Sequence, residues 1–153
     1  MSTLDTWNRL ATRPGGKWLF SRMVCLKAPY FSSIRPTFVD LCPGRAEVTI
    51  KKRRAVFNHI GTVHAIAICN MAELAGGTMT DVSVPATHRW IPRGMTVRYL
   101  LKATTDLRAV AIPESPFPGP GESADCPVRV EVTDAEGALV FDAGITMYVS
   151  PRR

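Results

Sequence analysis

Three side chains that could perform acid–base chemistry stand in the middle of the chain. Asn58 precedes His64 by six residues, and Glu73 follows His64 by nine. Glu73 is the only carboxylate in residues 64–80, an apolar stretch long enough for about five helical turns. A carboxylate can activate water as a general base or attack as a nucleophile, and N–H groups at the start of a helix can polarise a carbonyl group. The stretch therefore combines the groups that hydrolysis of an activated carbonyl compound requires.

The helix predicted around Glu73 is apolar on most of its circumference, so we expect it to lie in a core. An unpaired charge in a core is costly, and Glu73 therefore needs either a catalytic role or a structural partner such as an arginine or a backbone donor. One stripe of the helix is aliphatic, with Ala65, Ile68, Ala72, Ala75 and Met79. The other would face a ligand and a partner subunit, and contains Ile66, Cys69, Asn70, Glu73 and Gly77.

The spacing of Asn58, His64 and Glu73 resembles that of the hotdog-fold acyl-CoA thioesterases, in particular the phenylacetic-acid-degradation type. The segments A-E-L-A-G-G and R-W-I-P-R-G-M-T-V-R-Y-L also resemble a branch of that superfamily catalogued as a domain of unknown function. The resemblance implies an α+β hotdog fold, with an antiparallel sheet wrapped around one long central helix, and hydrolysis of an acyl-CoA thioester. The family's Gly-Gly after the histidine is Ala65-Ile66 here, and Ile66 would narrow the slot for the thioester.

The resemblance also implies a role for each residue of the motif. Glu73 would be the base or nucleophile, and the N–H groups of His64 and Ala65, expected to be unpaired, would hold the thioester oxygen. Asn58 would come from the opposite subunit and position the carbonyl or the water. Further substrate contacts are expected from His59, Gly61, Ala65, Asn70, Arg89 and Arg93.

Structural interpretations stay open for several of these residues. Asn58 could be a loop or cap residue, His64 a hydrogen-bonded residue at a helix start, and Asn70 a residue that only lines a dimer. Aromatic residues expected near the site, which permit aryl or fatty acyl groups, are Trp18, Phe20, Trp90 and Tyr99.

Two other functions fit the same fold. A hotdog protein could bind an acyl group without catalysis. A 3-hydroxyacyl dehydratase is suggested by His59, which precedes Glu73 by fourteen residues as in that family's catalytic pair, although the surrounding H-F-P and P-G-V elements are missing. The sequence contains no G-x-S-x-G motif, which argues against a serine hydrolase.

Composition and charge limit the partners. The chain of 153 residues fits one domain, 1–153, and its net charge of +6 could attract the phosphates of coenzyme A. The basic run 51–54 is either such a contact or a solvated strand end, and nucleic acid is not an expected partner. Four scattered cysteines predict reduced thiols and no metal site or cofactor. We expect a cytoplasmic protein with no membrane partner.

The coarse order of elements predicts an α+β domain. Helices are predicted over 3–13 and 17–27, within an N-terminal helical segment 1–29, and a loop and the central helix over 57–80. After a hairpin of 37–41 and 45–53, strands are predicted within 88–149, over 88–103, 106–112, 127–133 and 138–149. The proline-rich residues 113–120 would be a linker or lid. Small residues on the helix and exposed strand edges predict a homodimer or homotetramer.

Overall fold

The computed structural model describes residues 1–152. Its longer helices are α1 (Thr3–Leu10), α2 (Gly16–Lys27) and α3 (Ala65–Ser83), and short 3-10 helices occupy Pro29–Ile34 and Arg54–Val56. The strands are β1 (Thr37–Cys42), β2 (Arg45–Ile50), β3 (His88–Tyr99), β4 (Leu107–Pro113), β5 (Ala124–Thr133) and β6 (Leu139–Pro151).

All six strands form one antiparallel sheet in the order β1-β2-β4-β5-β6-β3, with α3 packed against it. Strands β1 and β2 form the predicted hairpin. A turn joins β5 and β6, and the Asp134 carboxylate stabilises it by accepting hydrogen bonds from the N–H groups of Glu136 and Ala138. The α+β prediction is confirmed.

The side chains of α3 that meet the sheet are almost fully buried: Met71, Ala72, Leu74, Ala75 and Met79. Helix α3 runs through Gly76 and Gly77 to Ser83, slightly beyond the predicted end at residue 80 and close to Pro85. The glycines allow close approach, because a Cβ atom on Gly77 would lie 2.8 Å from the Trp90 ring. The glycines of α3 thereby make room for an aromatic side chain of β3.

Several element boundaries differ from the prediction. The first helix ends at Leu10 instead of residue 13, and Arg13, which precedes Pro14, is disfavoured in helical conformation. Residues Pro29–Ile34, a weak strand pattern in the sequence, form a 3-10 helix that starts with proline. Strand β4 extends to Pro113, which takes part in the pairing with β5, so the proline-rich loop begins later than expected.

Strand β3 is an edge of the sheet, because it pairs with β6 on one side only. Most of its side chains are exposed, including the apolar Ile91, Met95 and Tyr99. A long edge with apolar side chains is a surface that pairs readily with another strand. Among residues 1–152, none of the helices combines the length and the hydropathy that a membrane-spanning helix requires.

The N-terminal helices pack beside β1 through aromatic side chains. Trp7 of α1, Phe20 of α2 and Phe38 of β1 meet edge to face, with the Trp7 and Phe20 ring centroids 5.1 Å apart. Ser2 caps α1 in a reciprocal capping box with Asp5, and the Ser2 hydrogen bonds lower the pKa of that carboxyl group. The segment before β1 is therefore a packed part of the domain.

Helices α1 and α2 approach each other so closely at Gly16 that one added methyl group should destabilise the fold. A Cβ atom on Gly16 would lie 1.8 Å from the Leu10 carbonyl oxygen. We expect Gly16→Ala to lower the free energy of unfolding by about 1–3 kcal/mol through overpacking, although alanine favours helices more than glycine does. Urea unfolding followed by circular dichroism measures the change.

The matched control is Gly144→Ala, at a position where an added Cβ atom meets no atom of the described chain within 4 Å. The control should unfold within about 0.5 kcal/mol of the wild type. Equal stability of Gly16→Ala and the wild type would contradict the packing of α1 on α2.

Candidate active site

The loop before α3 is held by the side chain of Asn58. Its Oδ1 atom accepts hydrogen bonds from the N–H groups of Ile60 and Thr62, and its Nδ2 atom donates to the Thr62 hydroxyl at 2.7 Å. Gly61 supplies the left-handed turn of the loop at φ +76. The Asn58 amide has a second Nδ2 hydrogen, for which residues 1–152 provide no acceptor. Asn58 is thus both a loop residue and a fixed hydrogen-bond donor.

His64 is the N-cap residue of α3. Its Nδ1 atom accepts the hydrogen bond of the Ile66 N–H group at 3.0 Å, and its ring is exposed. The backbone N–H group of His64 donates to the Val56 carbonyl at 2.8 Å, so the expectation that it is unpaired is wrong. The N–H group of Ala65 has no acceptor within residues 1–152 and remains the available donor at the helix start.

Glu73 lies on the side of α3 that faces away from the sheet. In the single chain it is exposed, which corrects the expectation of burial, because Leu74 and Ala75 next to it turn toward the sheet. Its carboxylate forms no ion pair or hydrogen bond with any of residues 1–152. The structural alternative of a paired carboxylate therefore has no support in this chain.

Glu73 lines a cavity of about 270 Å³, the Glu73 cavity. The wall consists mainly of apolar side chains from three parts of the fold: the N-terminal segment, α3 and β3. Its lining residues are Thr3, Val24, Lys27, Ala28, Phe31, Glu73, Leu74, Gly77, Thr78, Asp81 and Trp90. The carboxylate is therefore placed beside space that suits an apolar group.

Asp81 fixes two parts of this wall. Its carboxylate accepts a hydrogen bond from Trp90 Nε1 at 3.1 Å and another from the Thr3 hydroxyl at 2.6 Å. Gly77 lies directly under the Trp90 ring. Helix α1, helix α3 and strand β3 are thereby held together around the cavity, and Asp81 is occupied by this task.

Two further cavities contain the other predicted catalytic residues. The Asn58 cavity, about 400 Å³, is lined by Asn58, Ala65, Tyr99 at the end of β3, and Leu100 and Leu101 after that strand, among others. The His64 cavity, about 360 Å³, is lined by His64, Asn70, Tyr30 and Ser33, among others. One chain by itself therefore does not bring Asn58, His64 and Glu73 together.

Asn70 is 7% exposed, so it is buried in α3 as well as lining the His64 cavity. Its Nδ2 atom donates to the Ser33 hydroxyl at 3.1 Å, and its Oδ1 atom has no hydrogen-bond partner among residues 1–152. His59, the candidate of the dehydratase alternative, is exposed in the loop and does not line the Glu73 cavity. That separation gives the dehydratase alternative no geometric support.

The basic candidates differ in their availability. The Arg93 guanidinium pairs with the Asp125 carboxylate at 3.0 Å and stacks on the Tyr148 ring. In the basic run, Lys51 pairs with Asp106, whose pKa is lowered by that contact. Arg89 is exposed next to Trp90 and has no side-chain partner within residues 1–152. Arg89 is therefore freer than Arg93 to meet a ligand phosphate.

The four aromatic candidates lie in different places. Trp90 and Tyr99 line the Glu73 and Asn58 cavities, whereas Phe20 lies in the core and Trp18 points to solvent. The apolar pattern of residues 17–27 left two positions open for that helix, on the sheet or beside the ligand, and the end of α2 lines the Glu73 cavity. The pattern does not predict that α1 contributes to the same wall.

Comparison with known proteins identifies the fold. The family model described as Domain of unknown function (DUF4442) matches residues 16–149. A structural-genomics target, APC5556, is 52% identical, with a TM-score of 0.83 and 98% of each chain covered. No protein of curated function matches the chain.

More distant solved structures carry thioesterase names. A thioesterase family protein from Silicibacter pomeroyi is 15% identical, with a TM-score of 0.74, and the match covers 86% of this chain and 96% of that one. A thioesterase from Haemophilus influenzae is 14% identical, with a TM-score of 0.73 and coverage of 84% and 87%. These likenesses confirm the hotdog fold that the sequence resemblance implied.

The N-cap of α3 yields a stability prediction. We expect His64→Ala to lower the free energy of unfolding by about 0.5–2 kcal/mol, because the Ile66 N–H group loses its acceptor. His64→Asn should retain most of the stability, since asparagine is a good N-cap residue. Chemical denaturation measures all the variants, with His59→Ala in the exposed loop as control. If His64→Ala loses no more stability than His59→Ala, the His64 ring does not cap the helix.

Proposed function

The chain belongs to the family described as a domain of unknown function, DUF4442, and we propose that it hydrolyses an acyl-CoA thioester to the free acid and coenzyme A. The thioesterase names of solved structures with the same fold support this reaction class. Within the chain, the support is Glu73, a carboxylate that has no structural partner in residues 1–152 and lines a mainly apolar cavity. A carboxylate without a structural task remains available for chemistry.

In the proposed reaction, Glu73 takes a proton from water while the water oxygen attacks the thioester carbon. The Ala65 N–H group donates to the carbonyl oxygen as it becomes negative, and Asn58 positions the carbonyl or the water with its remaining amide hydrogen. The C–S bond then breaks, and the thiolate of coenzyme A takes up a proton. Direct attack by Glu73, followed by hydrolysis of the resulting anhydride, would use the same groups.

The Glu73 cavity and the Asn58 cavity lie at opposite ends of β3, and this position is the main support for the proposal. Trp90, near the start of β3, lines the Glu73 cavity, and Tyr99, at its end, lines the Asn58 cavity. Two antiparallel β3 edges related by a twofold axis would set the start of one strand beside the end of the other. The Glu73 cavity of one subunit would then adjoin the Asn58 cavity of its partner.

This pairing also explains why one chain leaves the groups apart. The exposed side chains Ile91, Met95 and Tyr99 of β3 would become covered by a second copy. Ala65 and Asn58 line one cavity and Glu73 another, so a homodimer would hold two complete and equivalent sites. We propose this homodimer as the active form.

The volume and lining of the Glu73 cavity limit which acyl groups fit into it. Its volume of about 270 Å³ lies below the range of roughly 300–1,000 Å³ that is usual for drug-sized ligands. Phe31 and Trp90 supply aromatic surface, and Val24 and Leu74 supply aliphatic surface. We propose a short acyl chain or a single aromatic ring, with Arg89 as the contact for a phosphate of coenzyme A.

Removal of the carboxylate tests the chemistry. Glu73→Gln should lower kcat/KM by at least about a hundredfold while the protein stays folded, because the amide cannot accept the proton. The measurement is release of free thiol from acetyl-, hexanoyl-, benzoyl-, phenylacetyl- and palmitoyl-CoA. The matched control is Glu114→Gln, an exposed carboxylate outside the Glu73 cavity. Turnover near the wild-type value would remove Glu73 from the reaction.

The same panel distinguishes hydrolysis from binding alone. If the wild type releases thiol from none of the thioesters but binds some of them in calorimetry, the noncatalytic acyl-binding alternative replaces the proposed reaction. That alternative has one feature in its favour, the exposed Ile66 in place of the glycine of the family motif.

A shared site predicts complementation between inactive chains. Asn58→Ala and Glu73→Gln should each be inactive as homodimers, and their co-expressed heterodimer should regain about half of the wild-type activity, because one of its two sites keeps both residues. Two affinity tags isolate the mixed dimer. Since Asn58 also holds its loop, circular dichroism must first show that the alanine variant is folded. A folded mixed dimer without activity would contradict the shared site.

A further inference from the structure

Helix α2 is apolar on two sides, and only one of them is covered. Its buried side holds Phe20 and Cys25, while Trp18, Leu19, Met23 and Leu26 are exposed, and Tyr30 follows them in the 3-10 helix. Trp18 is 61%, Leu26 80% and Tyr30 69% exposed. We call these five exposed residues the α2 face. A helix with apolar residues on both sides is normally buried on both, so the α2 face lacks a partner in the single chain.

The segment that contains this face carries charged residues of one sign. Residues 6–39 contain no aspartate or glutamate, and their six basic residues are Arg9, Arg13, Lys17, Arg22, Lys27 and Arg35. Lys17 donates to the Val39 carbonyl and Arg22 to the Pro36 carbonyl, which fixes both side chains but leaves their charges. None of the six forms an ion pair with another of residues 1–152. The segment therefore combines large exposed apolar side chains with an excess of positive charge.

This combination favours an anionic and apolar partner over a second copy of the chain. A twofold contact through the α2 face would set the same basic segment against itself, and like charges across an interface are repulsive. A nucleic acid would match the charge but leaves Leu19, Met23 and Leu26 without an apolar environment. A lipid surface with anionic headgroups provides both, since basic residues meet the headgroups while apolar and aromatic side chains enter the acyl boundary.

We propose that the α2 face docks on the surface of an anionic lipid bilayer. Trp18, Leu19, Met23, Leu26 and Tyr30 enter the interface, and the six basic residues contribute to the attraction of the segment to the headgroups. This revises the expectation of no membrane partner, which rested on the lack of a membrane-spanning stretch. Docking in the plane of the interface requires no spanning helix.

The position of α2 gives the docking a consequence for the Glu73 cavity. Val24 and Lys27 of α2, with Ala28 and Phe31 after it, line that cavity. The segment that lies on the bilayer is thus also a wall of the cavity. The side chains of this segment would then separate the cavity from an acyl compound dissolved in the lipid. The docking itself does not depend on whether the cavity hydrolyses its ligand.

Flotation with lipid vesicles tests the proposal. The full chain is mixed with vesicles of phosphatidylcholine alone or with about one-third phosphatidylglycerol, at low and at high salt. We expect binding to the anionic vesicles at low salt, weaker binding at high salt, and little binding to the neutral vesicles. The double variant Trp18→Ser and Leu26→Ser should bind at least about tenfold more weakly. The matched control Ile112→Ser, an exposed apolar residue of β4, should bind like the wild type.

Three outcomes would overturn the proposal. The first is a wild type that binds neither kind of vesicle. The second is a folded double variant that binds as well as the wild type. The third is a wild-type oligomer that becomes smaller in the double variant under light scattering, which would assign the α2 face to contacts between copies.

Discussion

The apolar side of α3 packs on the six-stranded sheet, and this contact determines how the helix is rotated. Met71, Leu74 and Met79 are almost completely buried there, and burial of each stabilises the fold by about 1.5–3 kcal/mol. Together, these burial free energies exceed what any single polar residue of α3 could gain or lose if the helix rotated about its axis. Glu73 must therefore lie on the opposite side of the helix, where the sheet cannot cover it. The position of the carboxylate follows from the packing of its neighbours.

What meets the uncovered side of α3 is supplied by other segments. Helix α1, the end of α2 and Trp90 of β3 form walls around Glu73, and Asp81 joins them through two hydrogen bonds. Gly77 makes room for the Trp90 ring. In our proposal a second copy adds the remaining groups through β3. The same edge strand would then join the subunits and align their cavities.

Much of this fold could be predicted from the sequence because its signals are local. The apolar run around Glu73, the β1-β2 hairpin and the alternating strands after Pro85 all follow from the period of the side chains. The errors concern contacts between segments. Sequence periodicity placed Glu73 on the stripe opposite the aliphatic one, but it could not show that this carboxylate stays exposed in the single chain. It also could not show that the His64 N–H group binds the Val56 carbonyl, eight residues earlier in the chain.

The central claim is that the thioester lies between Glu73 of one subunit and Asn58 and Ala65 of another. A crystal structure with a thioether analogue of a short acyl-CoA tests it directly. The analogue keeps the carbonyl group but lacks the cleavable C–S bond beside it. We expect the analogue carbonyl oxygen within hydrogen-bond distance of the Ala65 N–H group of one chain, and Glu73 of the other chain beside the carbonyl carbon. An analogue held by one chain alone, or bound away from Glu73, would contradict it.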